Sequence, residues 1–227
     1  MLAPRALKHL SITETELRRR RQRMVRRQIE QRGVLNRAVV NAMTAVPRHR
    51  FVPATYLEEA YADRPLPIGH GQTISQPFVV AYMLSMAQIG PNHKVLEVGT
   101  GCGYQAAVLG ELADRVYTIE IVPELAARSQ SLLTALGYTH VAVKAGDGYG
   151  GWPEHAPYDR ILVAAAPPQI PLALIDQLAV EGKLVIPVGE HQQEIVVITK
   201  HESALETQHL LPVRFVPMVH QAESDLN

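Results

Sequence analysis

The stretch Val95-Leu-Glu-Val-Gly-Thr-Gly-Cys-Gly-Tyr104 constrains this chain more than any other. A buried apolar run ends at Gly99, glycines follow at Gly101 and Gly103, and a helical pattern begins at Tyr104. Such glycines let the backbone turn sharply and approach a ligand that a Cβ would repel. The spacing excludes two nucleotide loops. A dinucleotide loop is G-x-G-x-x-G, with a helix N-terminus aimed at pyrophosphate, whereas this one is G-x-G-x-G. A phosphate-cradling G-x-x-x-x-G-K-[ST] sequence is absent. Glu97, two residues before the first glycine, is a poor neighbour for pyrophosphate and a good one for a cationic ligand.

The flanking pattern sets the fold class. Strands are predicted at Lys94–Val98, Arg115–Ile119, His140–Lys144, Asp159–Ala164, Lys183–Pro187 and Glu194–Thr199, all rich in β-branched residues. Helices are predicted from Tyr104 to Leu112, over Pro123–Leu136 with Pro123 in the first turn, and over Ile170–Leu178. Alternation of this kind predicts an α/β, doubly wound, mostly parallel sheet covered on both faces. The last two strands lie too close for a helical crossover, so an antiparallel strand is expected at one end. Upstream, Ser11 with Glu14 and Thr13 with Glu16 have capping-box spacing, and Gly33 is placed to end a helix over 13–32. A second helix is expected over 36–45. Residues 65–77, with prolines at both ends and Gly69 and Gly71 between, read as an ordered functional loop. The expected organisation is a basic extension over 1–23 and one domain over 24–227. Within it, 24–90 form a helical annex with the functional loop, and 91–227 a cofactor-binding core.

Composition narrows the class. The 227 residues are 47% hydrophobic and 19% charged, as in a protein with a sizeable core. The richest apolar stretch, Phe78 to Ile89, has twelve residues and is interrupted by Ser85 and Gln88, short of the roughly eighteen of a membrane helix, and the first ten residues lack the continuous apolar stretch of a secretion signal. A single cysteine, Cys102, rules out an internal disulfide framework and a cysteine-rich zinc site. No metal and no membrane partner are expected, and the expected location is the cytoplasm. The zero net charge hides an asymmetry: residues 1–50 carry +10 and the remainder −10, with arginines at 18, 19, 20, 21, 23, 26 and 27. A block of this kind can grip an acidic surface or nucleic acid; a solvated helix facing its own acidic body accounts for it more simply.

An acidic residue before G-x-G-x-G, in a strand–loop–helix setting, is the signature of S-adenosylmethionine-dependent methyltransferases. Two further acids suit that reading. Glu120 closes the strand Val116-Tyr-Thr-Ile-Glu120, where a carboxylate can accept from both ribose hydroxyls; its plainer reading is a helix N-terminal charge before Pro123. Asp147 in Ala145-Gly-Asp-Gly148 can accept from an adenine amino group, or be an ordinary turn aspartate.

With Gly69-His-Gly-Gln-Thr-Ile-Ser-Gln-Pro77 beside the glycine loop, the chain resembles the protein-L-isoaspartate O-methyltransferases. The resemblance runs from about Met24 to Val219. It includes Met24-Val-Arg-Arg-Gln-Ile, Val46-Pro-Arg-His-Arg-Phe-Val-Pro53, Gly146-Asp-Gly148, Ala164-Ala-Ala-Pro-Pro168, Leu184-Val-Ile-Pro-Val-Gly189 and Val213-Arg-Phe-Val-Pro217. The glycine loop alone supports a methyltransferase; the G-x-G-Q-T-I-S-x-P segment narrows it to this family. The resemblance implies an active-site serine at Ser75. It implies cofactor contacts at Thr73, Ile74, Glu97, Gly99, Gly101, Gly103, Glu120, Ile121, Asp147 and Gly148. It says nothing of residues 1–23, and Cys102 stands where a serine is common.

The implied reaction is attack by the α-carboxylate of an isoaspartyl residue on the methyl group of S-adenosylmethionine, leaving S-adenosylhomocysteine. The methyl ester then closes spontaneously to a succinimide, which starts repair of damaged proteins. A carboxylate with pKa about 4 is ionised at pH 7, so no general base is required. Ser75 is expected to orient the carboxylate, and His70 to pack or face solvent. Cys102, with no histidine nearby in sequence, is not expected to act as a nucleophile. An RNA or other methyltransferase is the alternative. Against it, Ala166-Pro-Pro-Gln169 lacks both ends of the Asn/Asp-Pro-Pro-aromatic motif of amino-group methylation, and aromatic residues make up only 5% of the chain. Nucleic acid is therefore not an expected partner. A binding module that kept the cofactor fold without activity is disfavoured by the intact Ser75 and three acids.

Overall fold

The computed structural model describes residues 12–220. Its centre is a seven-stranded sheet whose strands split their side chains between two cores. The strands are β3 (Lys94–Val98), β4 (Arg115–Glu120), β5 (Val141–Ala145), β6 (Tyr158–Val163), β7 (Leu178–Val188), β8 (Gln193–Lys200) and β9 (Leu205–Val213), in the order β5-β4-β3-β6-β7-β8-β9. Successive residues of a strand point to opposite faces. Thus Val95, Leu162, Val185 and Val197 enter one core, while Leu96, Ile161, Leu184 and Ile198 enter the other. Burial on both faces is why these strands read as unbroken apolar runs. All neighbours are parallel except the β7–β8 and β8–β9 pairs, so β8 alone runs against the rest.

The chain moves outward from β3 to β4 and β5, then returns to the other side of β3 at β6. That reversal opens a crevice at the carboxyl ends of β3 and β6, the place where open α/β sheets bind ligands. Helices α4 (Tyr104–Gly110) and α5 (Pro123–Ala135) follow β3 and β4 and pack on the first core together with the N-terminal annex. The second core is covered by the short α6 (Leu172–Asp176), the segment around Trp152 and Met218.

Helix α1 (Glu14–Met24) runs from the expected extension into the annex, and its N-cap Thr13 accepts from Glu16 N; Ser11, the alternative cap, lies outside the described residues. The helix continues as one π-helical segment, Val25–Ile29, and a 3-10 turn, Glu30–Arg32, and stops at left-handed Gly33. Helix α2 (Arg37–Ala45) is capped by Asn36, which accepts from Ala38 N and Val39 N. The exposed residues of α1 include Arg18, Arg19 and Arg23, while Leu17 and Met24 are buried. Among the described residues, no helix is long and apolar enough to cross a membrane.

Four local expectations need correction. Residues 65–77 are not a loop: Leu66–Gly69 (β1) and Gln72–Ile74 (β2) form an antiparallel ribbon. Its prolines were read as breakers, but each strand of a two-stranded ribbon has an open edge on which Pro67 is tolerated. The tip Gly69-His70-Gly71 turns with three consecutive positive φ values, 95°, 53° and 66°. Residues 78–89, weighed above only as a membrane span, supply most of helix α3 (Pro77–Ala87). The predicted helix over 170–178 shrinks to Leu172–Asp176 because Leu178 already pairs with Tyr158 in β7. Strand β9 was not predicted, since as an edge strand it is mostly exposed and lacks an apolar run.

Leu17 is 5% exposed, and Arg20 Nη1 donates to the Glu58 carbonyl at 3.0 Å. A protein beginning at Met24 loses both contacts but none of the sheet. It is expected to fold and keep most of its turnover. Losing one buried leucine costs about 1.5–3 kcal/mol, so its melting temperature should fall by roughly 3–12 °C, as a calorimetric scan would record.

Candidate active site

The crevice is a cleft of about 820 Å³ including its open mouth, walled by Gln72–Ser75, Val98–Cys102, Ile119–Ile121, Gly148, Ala164–Ala165 and Val216–Val219. Its floor is the glycine loop. Gly99 turns with φ of 95°, and a Cβ there would lie 3.4 Å from Ala164 Cβ on the neighbouring strand end. The loop is pinned by Gly99 N and Thr100 N, both donating to the Ile119 carbonyl at 2.8 and 3.2 Å. Gly148 is glycine for steric reasons: a Cβ would come within 2.3 Å of Val98 Cγ1. Gly103 does not line the cleft. It caps α4, where a Cβ would press on Ser129 Cβ at 3.2 Å, so the third glycine serves helix packing.

The three acids fall in three different settings. Glu120 lines the cleft with 4% exposure. Its Oε2 accepts from Gly101 N at 2.7 Å and its Oε1 from Val122 N at 3.0 Å. Burial raises its pKa, against those backbone donors and a smaller pull from His70. Glu97 is fully buried beneath the loop rather than in the wall. Its Oε2 accepts from Thr118 Oγ1 at 2.5 Å, and Thr118 in turn bonds Thr100 Oγ1 at 2.6 Å. Oε1 has no hydrogen-bond partner among the described residues. Burial pushes this carboxyl up to about 8, so at neutral pH Glu97 is largely a protonated prop for the loop. Asp147 stands outside the lining. Its Oδ1 accepts from Tyr149 N at 2.8 Å and its Oδ2 lies 3.0 Å from His220 Nδ1, with the His220 ring stacked on Tyr149.

The opposite wall is the β1–β2 ribbon with Thr73, Ile74 and Ser75. Arg128 of α5 donates to the Ile68 carbonyl at 2.9 Å and ties the ribbon to the core. Ser75 sits between β2 and α3, its peptide carbonyl accepting from Arg48 Nη2 at 2.8 Å. His70 is exposed at the ribbon tip. Cys102 lines the cleft, but burial pushes its thiol up to about 11, so it offers no thiolate near neutral pH. The last wall, Val216–Val219, is fastened by Ala166 N to the Val216 carbonyl at 2.9 Å and Met218 N to the Ala166 carbonyl at 2.9 Å. Among the described residues, no group of three His, Cys, Asp or Glu side chains converges as a metal site.

Two contributors went unread in the sequence. Met218 and its neighbours sit in a wall fixed only by tertiary contact. Arg48 was visible inside Val46–Pro53, but nothing in its spacing reveals that it reaches Ser75.

A family model for protein-L-isoaspartate(D-aspartate) O-methyltransferase matches residues 19–223. The chain belongs to this family. A protein-L-isoaspartate O-methyltransferase of Gloeobacter violaceus is 58% identical over 200 residues, covering 87% of this chain and 98% of its own length. One from a Picosynechococcus strain is 57% identical over 198 residues, covering 87% of this chain and 89% of its own. A solved structure described as a protein-L-isoaspartate O-methyltransferase superposes with a TM-score of 0.81 at 26% identity, over 90% of this chain and 66% of that longer one. A Plasmodium falciparum structure in complex with S-adenosyl-L-homocysteine, 25% identical, superposes at 0.77 over 88% of this chain and 98% of its own.

The Glu97 carboxyl gives a pH signature. Between its ordinary 4.5 and about 8, the folded methyltransferase holds a proton that the unfolded chain releases. Its contribution to stability is therefore full below 4.5 and declines as pH rises through that window. Glu97→Gln, which cannot ionise, should remove this part of the decline. Melting temperatures of the two proteins at pH 5 and pH 8 should converge or cross toward the variant at the higher pH; parallel curves would place the raised carboxyl elsewhere.

Proposed function

We propose that this methyltransferase carries a methyl group from S-adenosylmethionine to the α-carboxylate of L-isoaspartyl residues in damaged proteins and peptides, releasing S-adenosylhomocysteine. The observation that carries the proposal is the facing of Ser75 and the glycine loop across one cleft. The residues fit the cofactor. Val98, Ile119, Ile121 and Met218 give the cleft apolar walls, and Gly148, glycine because Val98 fills the place of a Cβ, lines it beside them. Glu120 retains acceptor capacity for ribose hydroxyls beyond the two backbone N–H groups it already accepts. When bound, the cofactor supplies a methyl group on a positively charged sulfur.

The chain's own residues bind, orient and exclude water. Gly99 and Gly101, with Thr73, Ile74 and Ile121, shape the cofactor side of the cleft. Glu97 and Gly103 support it from behind, and Asp147 anchors the far end next to Gly148. Ser75 lends its hydroxyl to the substrate carboxylate, fixing the attacking oxygen; no residue has to remove a proton, since the carboxylate is already ionised. Proximity and alignment of the two reactants supply most of the acceleration. Charge is neutralised as they react, so a cleft with apolar walls helps by keeping water out. Residues 24–227 form the active unit, and a location in the reducing cytoplasm accords with one buried, unpaired cysteine. An RNA substrate is not favoured: the family acts on carboxyl groups.

Methyl transfer to an isoaspartyl peptide, run beside its aspartyl twin, is the direct test; activity on the first alone is expected, and activity on neither would refute the proposal. Ser75→Ala should lower turnover roughly tenfold to a thousandfold, the scale of lost active-site hydrogen bonds, with little change in cofactor affinity. Glu120→Ala should weaken cofactor binding by roughly 2–3 kcal/mol in titration calorimetry, because it also releases Gly101 N and loosens the loop.

A further inference from the structure

A buried cation stands behind the serine, and the chemistry above does not use it. Arg48 has 0% exposure, yet its guanidinium joins three parts of the molecule. Nε donates to the Ala60 carbonyl of the annex at 2.9 Å, and Nη2 donates to the Ser75 carbonyl at 2.8 Å. The guanidinium carbon lies 4.9 Å from the centre of the Tyr104 ring, at the start of the cofactor-side helix α4. Nη1 has no hydrogen-bond partner among the described residues.

Burying a guanidinium on two carbonyls and a ring face is an expensive way to fill space. A methionine would pack there without the desolvation cost. What only the planar fork provides is donation in two fixed directions at once. One direction ends on the annex and the other on the peptide that carries Ser75. The Ser75 hydroxyl itself is not fixed by any hydrogen bond among the described residues, so its direction depends on the backbone that bears it.

Building on the Ser75 reading above, we infer that Arg48 is a positioning residue for the methyl transfer, holding the Ser75 peptide at the distance from helix α4 that the reaction requires. It touches neither reactant; it acts through Ser75. A lysine keeps the charge but not the fork, so Arg48→Lys should lower kcat/KM for an isoaspartyl peptide roughly tenfold to a hundredfold, the scale of a small misplacement at a reacting centre. The dissociation constant for S-adenosylhomocysteine should stay within about threefold, since Glu120 and the glycine loop are held without Arg48 and Arg128 still fastens the ribbon that carries Thr73 and Ile74. Arg48→Met, uncharged and of similar length, serves as the second variant if the lysine ammonium is not tolerated in the core.

A double-mutant cycle with Ser75→Ala reads the coupling. Once Ser75 has lost its hydroxyl, replacing Arg48 should cost nothing more, so the double variant matches Ser75→Ala alone. Losses that multiply, full activity in both Arg48 variants, or loss of S-adenosylhomocysteine binding in both would each overturn the inference. Full activity in Ser75→Ala would instead bring down the Ser75 reading, and the role of Arg48 with it; the single serine variant distinguishes the two failures.

Discussion

The site depends on one carboxylate that ties the ends of two strands together. Glu120 finishes β4, and its two oxygens take the N–H groups of Gly101 on the neighbouring loop and of Val122 at the start of α5. A glycine loop has many backbone donors and few side chains to satisfy them, so a buried loop of this kind needs an outside acceptor. Glu120 and the Ile119 carbonyl together meet that need. Glu97, one strand over, shows how environment divides the labour of like residues. Sealed under the loop and bonded to a threonine, it is a strut whose burial favours the protonated form, whereas Glu120 opens onto the cleft.

The second wall has a different origin. The sheet supplies the floor, but the ribbon carrying Thr73, Ile74 and Ser75 belongs to the annex. Arg128 reaches over from α5 to the Ile68 carbonyl and ties the ribbon to the core, while Arg48, within the annex, reaches from beneath to Ser75. Both are arginines gripping carbonyls, which holds a backbone in place without placing a charged side chain in the wall itself. The two walls of the cleft are thus held by separate groups.

How much of this could be read from the chain followed the range of the forces involved. The core strands were legible because burial on both faces leaves continuous β-branched runs, as in Lys94–Val98 and Arg115–Glu120. The glycine loop is legible because its spacing in sequence is its spacing in space, and Glu120 because it closes the strand next to the one that ends in that loop. The ribbon was misread because proline was weighed as a breaker without regard to its open edge, and β9 was missed because an exposed edge strand carries no periodic signal. Asp147 and Glu97 have the expected residue types in the expected elements, but their exact partners, His220 and Thr118, come from distant segments. Arg48 is the extreme case, since its partners lie 12 and 27 residues away.

The cleft draws its walls from stretches scattered between Gln72 and Val219. A ligand filling it therefore touches the annex ribbon, both central strands and the segment beyond β9 at once, and partial unfolding of any of them removes part of its site. Occupancy is then linked to the integrity of the entire domain: each tenfold excess of ligand over its dissociation constant adds about 1.4 kcal/mol to the global unfolding free energy. A cell rich in the ligand would hold this protein further from the reach of its proteases, and one starved of it would turn the same chain over faster.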